Sequence, residues 1–177
     1  MPPTAKTPPP RIQIQDVRPI VDCGRYPTKR TVGDTVDVGA NVFRDGHDVL
    51  AATIRYRPAK ERRWRETPMR PLGNDRWTGS FEVDRPGRWQ YTIEAWVDRK
   101  ATWVGEIGRK VQAGQEELSG ELSEGAVLFG VEKLTIEEAL ELEGGDRSDV
   151  TSLPKPLELD VDRERALFGS WYELFPR

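Results

Sequence analysis

Cysteine and histidine are nearly missing from this sequence: Cys23 and His47 are its only examples in 177 residues. One cysteine closes no internal disulfide, which fits a reducing compartment. Long apolar runs are missing as well. No stretch approaches the roughly 20 residues that a membrane helix requires, and the opening MPPTAKTPPP has no apolar core and so does not read as a signal peptide. The expectation is a soluble, cytoplasmic protein without a membrane partner. Chemical signatures are equally sparse. There is no Ser/His/Asp arrangement, no phosphate-binding glycine loop and no cysteine pair. Carboxylates abound, but a glycosidase-type pair needs a defined separation across a bound sugar, and the sequence singles out no such pair. No catalytic residue, no metal and no cofactor is therefore expected.

What is present can fold. Hydrophobic residues make up 36% and charged residues 32%, and six Trp, five Phe and four Tyr supply bulky core material. The length suits one domain, or one domain with appendages. The net charge of -3 is unevenly spread. Residues 11–114 carry 20 Lys/Arg against 14 Asp/Glu, and residues 115–177 carry 6 against 16. A basic region followed by an acidic one predicts two structural units, which pack on each other or on a partner of opposite charge.

Residues 1–10 hold five prolines and no large apolar side chain, which predicts a disordered or extended tail. Residues 11–114 read as all-β. Val36, Val38, Ala40 and Val42 alternate with polar or small neighbours, as do Leu50, Ala52, Ile54 and Tyr56. Trp77, Gly79, Phe81 and Val83 form another inward row, and Trp89, Tyr91, Ile93, Ala95 and Val97 the longest. Asp45-Gly46, Gly73-Asn74-Asp75 and Asp84-Arg85-Pro86-Gly87 supply turns between them. This spacing predicts a mainly β protein built on an antiparallel β-sandwich of immunoglobulin-like type.

Residues 115–159 change character. Leu118, Leu122, Ala126 and Phe129 recur at helical spacing, but Gly120, Gly125 and Gly130 interrupt. An interior glycine costs about 1 kcal/mol against alanine, which argues against a continuous helix here. The better helix runs from Ile136 to Glu143, with Thr135 and Glu138 as a capping box and Gly144 at its end. Asp146 to Leu159 reads as a linker. In residues 160–177, Asp160 caps a short helix through Phe168, and Trp171-Tyr172-Glu173-Leu174-Phe175 reads as a strand. An apolar last strand either folds back onto an earlier sheet or marks the start of something larger.

Three groups of residues bear on binding. Asp45-Gly46-His47-Asp48 offers possible metal ligands or an acid/base pair, but a polar hairpin turn explains the same residues, and a zinc site ordinarily needs four ligands. Arg55, Arg57, Lys60, Arg62, Arg63 and Arg65, with Tyr56 and Trp64 between them, resemble a nucleic-acid surface. A solvated strand face and hairpin tip, diluted by Glu61 and Glu66, explains them better, and no nucleic-acid partner is expected. Trp96 falls on the opposite face from Trp89 and Tyr91, and Trp103 follows in a new strand or its approach. These two indoles are the candidates for glucan contact or for an interface, with cover by the acidic helical segment or an interface favoured over a sugar platform.

Longer runs carry a family resemblance. They are VRPIVDCGRYPTKRTVGD from Val17, VFRDGHDVLAA from Val42, PMRPLGNDRW from Pro68, EAWVDRKATW from Glu94, AGQEELSGEL from Ala113 and VDRERALFGSWYELFPR from Val161. Together they cover most of the chain from Arg11 onward, and they resemble the N-terminal region of bacterial α-1,4-glucan:maltose-1-phosphate maltosyltransferases, members of the α-amylase family of glycoside hydrolases. The resemblance implies that residues 11–114 are the family's β-sandwich. The acidic segment matches a helical insert that helps build a homodimer, and Trp171 to Phe175 matches the first strand of a catalytic (β/α)8 barrel. It implies a parent enzyme that moves a maltosyl unit from α-maltose 1-phosphate to an α-1,4-glucan with retention, using carboxylates on that barrel. The partners implied are the barrel, a second subunit and α-glucan. A barrel needs about 250 residues, so this chain alone is expected to be inactive. The chain departs from the family between Gln115 and Leu159, which is short and glycine-interrupted where the family has longer helices.

Overall fold

A computed structural model describes residues 10–115 and 117–168. The chain forms two compact units. One takes Ile14–Val42, Ala52–Glu94 and the chain from Ser152 on; the other takes residues up to Gln13, Phe43–Ala51 and Ala95–Thr151.

The first unit is a β-sandwich. Its strands include β1 (Gln13–Arg18), β2 (Thr28–Thr31), β3 (Thr35–Phe43), β4 (Leu50–Pro58), β5 (Arg65–Pro68), β6 (Arg70–Gly73), β7 (Arg76–Glu82) and β8 (Gly87–Val97). Two further strands follow the helices, β9 (Ser148–Ser152) and β10 (Leu157–Asp162). One sheet has the order β1-β3-β7-β6; the other has the order β2-β10-β8-β4-β5, with β9 also paired to β8. The period-two rows expected from the sequence form the core. Val36, Val38, Ile54, Phe81, Val83, Trp89, Tyr91 and Ile93 are buried, and Tyr56 stacks on Phe81 with ring centroids 4.3 Å apart. Each such side chain, fully buried, contributes about 1.5–3 kcal/mol. The buried indoles keep their N–H groups satisfied: Trp89 donates to the Arg85 carbonyl at 3.0 Å and Trp77 to the Val42 carbonyl at 3.2 Å.

Two features of the strand pattern were not anticipated. The stretch expected to be a linker supplies β9 and the start of β10. β10 pairs antiparallel with β8, Leu159 opposite Trp89, and parallel with β2, Val161 opposite Arg30. Leu159 and Val161 are buried there. The helix expected from an Asp160 cap is therefore absent at its start. Asp160 to Asp162 belong to β10, and only Glu164–Phe168 turn, as a 3-10 helix. Ladder hydrogen bonds and the burial of Val161 outweigh a local capping signal. The strand expected at Trp171 to Phe175 lies outside the described residues.

The second unit is helical, as expected after Gly114, and also over residues 99–112, where the sequence suggested strand. Helix α1 (Arg99–Gln112) replaces the expected β continuation to Gly114, so Trp103 sits on a helix. Asp98 caps it, accepting from the Ala101 N–H at 2.9 Å, and Trp103 and Ile107 form its buried stripe at i, i+4. Helix α2 (Ser119–Phe129) forms straight through Gly120 and Gly125. Gly130 ends it at φ 72°, a left-handed cap that glycine takes without strain. Helix α3 (Ile136–Glu141) carries both hydrogen bonds of the expected capping box, and Leu142 has already returned to extended backbone, so α3 stops two residues short of Glu143.

Candidate interface around the buried indoles

The helical unit is organised on Trp103. Its ring packs so tightly against α2 that a Cβ on Gly125 would fall 2.1 Å from Trp103 Cζ2. Its indole N–H donates to the Glu121 carbonyl at 3.2 Å, and Phe129 meets it edge-on at 5.7 Å. Trp103, Ile107 and Ala139, one from α3, form the buried centre, with Val104, Leu122, Leu128 and Leu134 around it. The glycine that argues against a helix in sequence is thus required by it. Removing a side chain lets an indole lie on the helix backbone, and the burial gained offsets the propensity lost.

Charge follows the same pairing. Lys110, in the basic region, contacts Glu121, in the acidic one, at 2.5 Å. That hydrogen bond holds the Glu121 carboxyl below its usual range.

Asp98 is a second organiser, 8% exposed. Besides capping α1 it accepts from the Gly145 N–H at 2.6 Å and the Asp146 N–H at 3.3 Å. Its own N–H donates to the Val49 carbonyl at 2.9 Å. The Val49 N–H donates in turn to the Thr102 hydroxyl at 2.8 Å. A Cβ on Gly144 would lie 2.5 Å from the Asp98 carboxylate. One carboxylate therefore ties the end of β8, the start of α1 and the loop after α3. Sequence reading missed this role because its partners stand 47 and 48 positions away; only the Asp98-x-x-Ala101 capping pattern was available to find it.

Trp96 is buried, 8% exposed, and the Arg147 guanidinium lies over its ring at 4.2 Å. Trp103 is 6% exposed. Both candidate indoles lie within the helical unit. A groove of about 510 Å³ runs beside Trp103, lined also by Arg99, Glu106, Glu124, Val127 and Leu128. Val127 is 83% exposed there, and Leu140 and Val131 are 46% and 45% exposed on the same unit.

The remaining candidates are spread elsewhere. Asp45, His47 and Asp48 lie in the bend between β3 and β4. Arg11 approaches Asp45 at 3.6 Å and Arg44 approaches Asp48 at 3.3 Å, so both carboxylates face cations. In the basic run, Arg55 pairs with Glu94 at 2.9 Å and Glu66 at 3.3 Å, and Arg65 pairs with Asp84 at 2.7 Å. Arg57 lies over Trp64 at 4.2 Å and donates to Gln90 at 3.1 Å. Its most deeply placed cations thus serve the sheet surface, while Lys60, Arg62 and Arg63 stay exposed.

Comparison with known proteins decides the family. The family model described as "Alpha-1,4-glucan:maltose-1-phosphate maltosyltransferase, domain N/S" matches residues 10–143. The chain belongs to this family. An α-1,4-glucan:maltose-1-phosphate maltosyltransferase from Myxococcus xanthus is 41% identical, over 93% of this chain and 30% of its own length. The maltosyltransferase of Chlorobaculum tepidum is 35% identical over 94% of the chain and 29% of its own. Maltosyltransferase 2 of Streptomyces coelicolor is 37% identical over 94% and 30%. The chain therefore spans under a third of the length of these maltosyltransferases and matches their domain N/S. No helix among the described residues is long and apolar enough to cross a membrane.

Proposed function

We propose that this chain is the non-catalytic front part of a cytoplasmic maltosyltransferase that extends α-1,4-glucans from α-maltose 1-phosphate, and that it positions the catalytic barrel and supports a homodimer. The observation that carries the reading is the family match over residues 10–143, together with coverage of only about 30% of the relatives' length. A retaining transferase needs a carboxylate nucleophile and a carboxylic acid/base about 5–5.5 Å apart, and the chemistry is assigned to the barrel beyond this region. The dimer role is assigned to the helical unit, whose exposed Val127, Val131 and Leu140 give it an apolar surface. Trp96 and Trp103 serve to build that unit, and the chain is taken as sandwich, helical unit and barrel start, with α1 counted in the helical unit and β10 in the sandwich.

The test is phosphate release from α-maltose 1-phosphate in the presence of glycogen. The 177-residue chain releases none, and the full-length enzyme that carries it releases phosphate steadily; release by the chain alone overturns the assignment. Sedimentation of the full-length enzyme checks the dimer, with Val127→Glu expected to shift it towards monomer.

A further inference from the structure

We propose that the outward face of the sheet β1-β3-β7-β6 carries a saccharide site centred on Gly39, which takes a short stretch of α-linked glucose. The site rests on the geometry of this face. The sugar it takes rests on the reading above, that the parent enzyme acts on α-1,4-glucan.

Gly39 is the observation that carries the proposal. β3 turns Val36, Val38, Ala40 and Val42 into the core, so Gly39 and Asn41 face outward. Glycine weakens the middle of a strand, and it stands there where the backbone, a close neighbour or an approaching molecule requires it. The backbone does not require Gly39, which is not among the residues of positive φ. The fold does not require it either. Its chain neighbours aside, a Cβ there would meet nothing nearer than the Trp77 carbonyl at 3.7 Å, an ordinary contact. Gly79 on β7 is the contrast, since a Cβ on it would fall 2.9 Å from Ile54 Cδ1 and 3.1 Å from the Pro68 carbonyl. What Gly39 does is keep open the space outside the sheet.

That space is a groove of about 330 Å³ with lining residues from all four strands of the sheet. β1 brings Asp16 and Arg18, β3 brings Gly39 and Asn41, β7 brings Arg76 and Thr78, and β6 brings the half-exposed Leu72. The Asn41 side-chain amide donates to the Asp16 carboxylate at 2.7 Å, which orients the two groups against each other. Among the described residues, neither Arg18 nor Arg76 pairs with a carboxylate, so both guanidinium groups keep donors to give.

The lining chooses among ligand classes. Gly39 pairs with Thr78 across β3 and β7, and Thr78 pairs with Arg70 of β6 on its other side. The floor therefore has no free strand edge for an extended peptide to join. An anion is drawn to Arg18 and Arg76 but repelled by the Asp16 carboxylate of the same groove. A hexose ring carries no charge. It has an apolar C–H face and a rim of hydroxyls, each of which donates and accepts. The C–H face suits Leu72 and the bare Cα of Gly39. The hydroxyls suit the acceptors of Asp16, the donors of Arg18 and Arg76, and Asn41 and Thr78, which supply both. A few polar groups around a small apolar floor make a small-molecule site, and the volume lies at the low end of the roughly 300–1,000 Å³ usual for one. Trp96 and Trp103, the indoles that the sequence offers for sugar contact, are covered; the Gly39 groove is open.

The test is titration of the 177-residue chain with maltotriose, an α-1,4-linked glucose trimer, followed by amide resonances in nuclear magnetic resonance. Saturable shifts at Gly39, Asn41 and Thr78 are expected. Gly39→Val puts a strand-favouring side chain into open space. It should keep the thermal unfolding midpoint of the parent chain and weaken maltotriose binding at least tenfold. Arg76→Ala, an exposed change, should weaken binding several-fold. Absence of shifts at about 10 mM maltotriose, which would fill about nine-tenths of a site with a Kd of about 1 mM, overturns the site. Undiminished binding by both variants overturns it, as does displacement of maltotriose by inorganic phosphate, which would mark an anion site. A Gly39→Val chain that unfolds shows that the fold needs this glycine and overturns it as well. Each of these outcomes leaves the proposed function intact. A full-length enzyme that releases no phosphate from α-maltose 1-phosphate overturns that function, while saturable shifts lost in Gly39→Val still establish the site.

Discussion

The strand unit and the helical unit solve the same packing problem by different means. In the strand unit, bulky side chains meet each other: Tyr56 stacks on Phe81, Phe81 tilts against Tyr91 at 5.9 Å, and Trp89 is fully enclosed. In the helical unit one indole meets bare backbone, with Trp103 on Gly125 and Asp98 against Gly144. The first arrangement spreads its contacts over many large side chains, each of which carries a large share of buried area. The second concentrates the fit in a few sites where a single methyl group has no room. A glycine in a helix thus has two opposite meanings, a weakness where it faces solvent and a contact surface where another side chain lies on it.

Four measurements sharpen that contrast. Trp89→Ala should have the largest effect, a loss of about 3–5 kcal/mol, read by urea unfolding followed through the strand signal in circular dichroism; retention of stability would mean that the sandwich core is not centred there. Gly125→Ala should cost about 1–3 kcal/mol by overpacking and should lower the helical signal while the strand signal persists. If Gly125→Ala instead stabilises, as helix propensity alone predicts, the close fit of Trp103 is refuted. Asp98→Ala should cost about 2 kcal/mol, since it removes a helix cap and leaves the Gly145 and Asp146 N–H groups without their acceptor; faster amide exchange at Gly145 checks it.

The smallest effect concerns Thr135 and Glu138. The Thr135 N–H, and then its hydroxyl, hold the Glu138 carboxyl below the usual range. A depressed folded-state pKa stabilises above the unfolded value of about 4.3 and loses that contribution as pH falls through the folded value. Thr135→Ala should cost about 1 kcal/mol at neutral pH, and Glu138→Gln, which removes the titrating group, should flatten this acid limb of the α3 helix signal. An unchanged limb would show that the capping box does not form in solution.

Legibility divided along the same line as the two units. The inward rows of β3, β4, β7 and β8 were readable because a strand fixes its burial pattern every two residues, and the Thr135–Glu138 box was readable because its partners are three residues apart. β10 was not, because Leu157 to Asp162 looks polar and earns its place only by lying between two strands from distant parts of the chain. α2 was not, because its glycines make sense only with Trp103 above them. Of the candidate surfaces, Trp96 and Trp103 were found as unusual indoles, but their covers, Arg147 and the α2 backbone, lie 51 and 18 or more positions away in sequence.

By itself, the sequence determined the mainly β class, the sandwich core rows, the α3 cap, the split between basic and acidic regions and the kinship to the maltosyltransferases, since each depends on neighbours within a few residues or on long matching runs. Only the tertiary structure decided that residues 99–112 are helix, that Gly125 and Gly144 are contact surfaces and that the expected linker supplies strands, β10 lying between β2 and β8. Those outcomes depend on side chains brought together from far apart, where burial and steric fit outweigh the local preferences that a sequence displays.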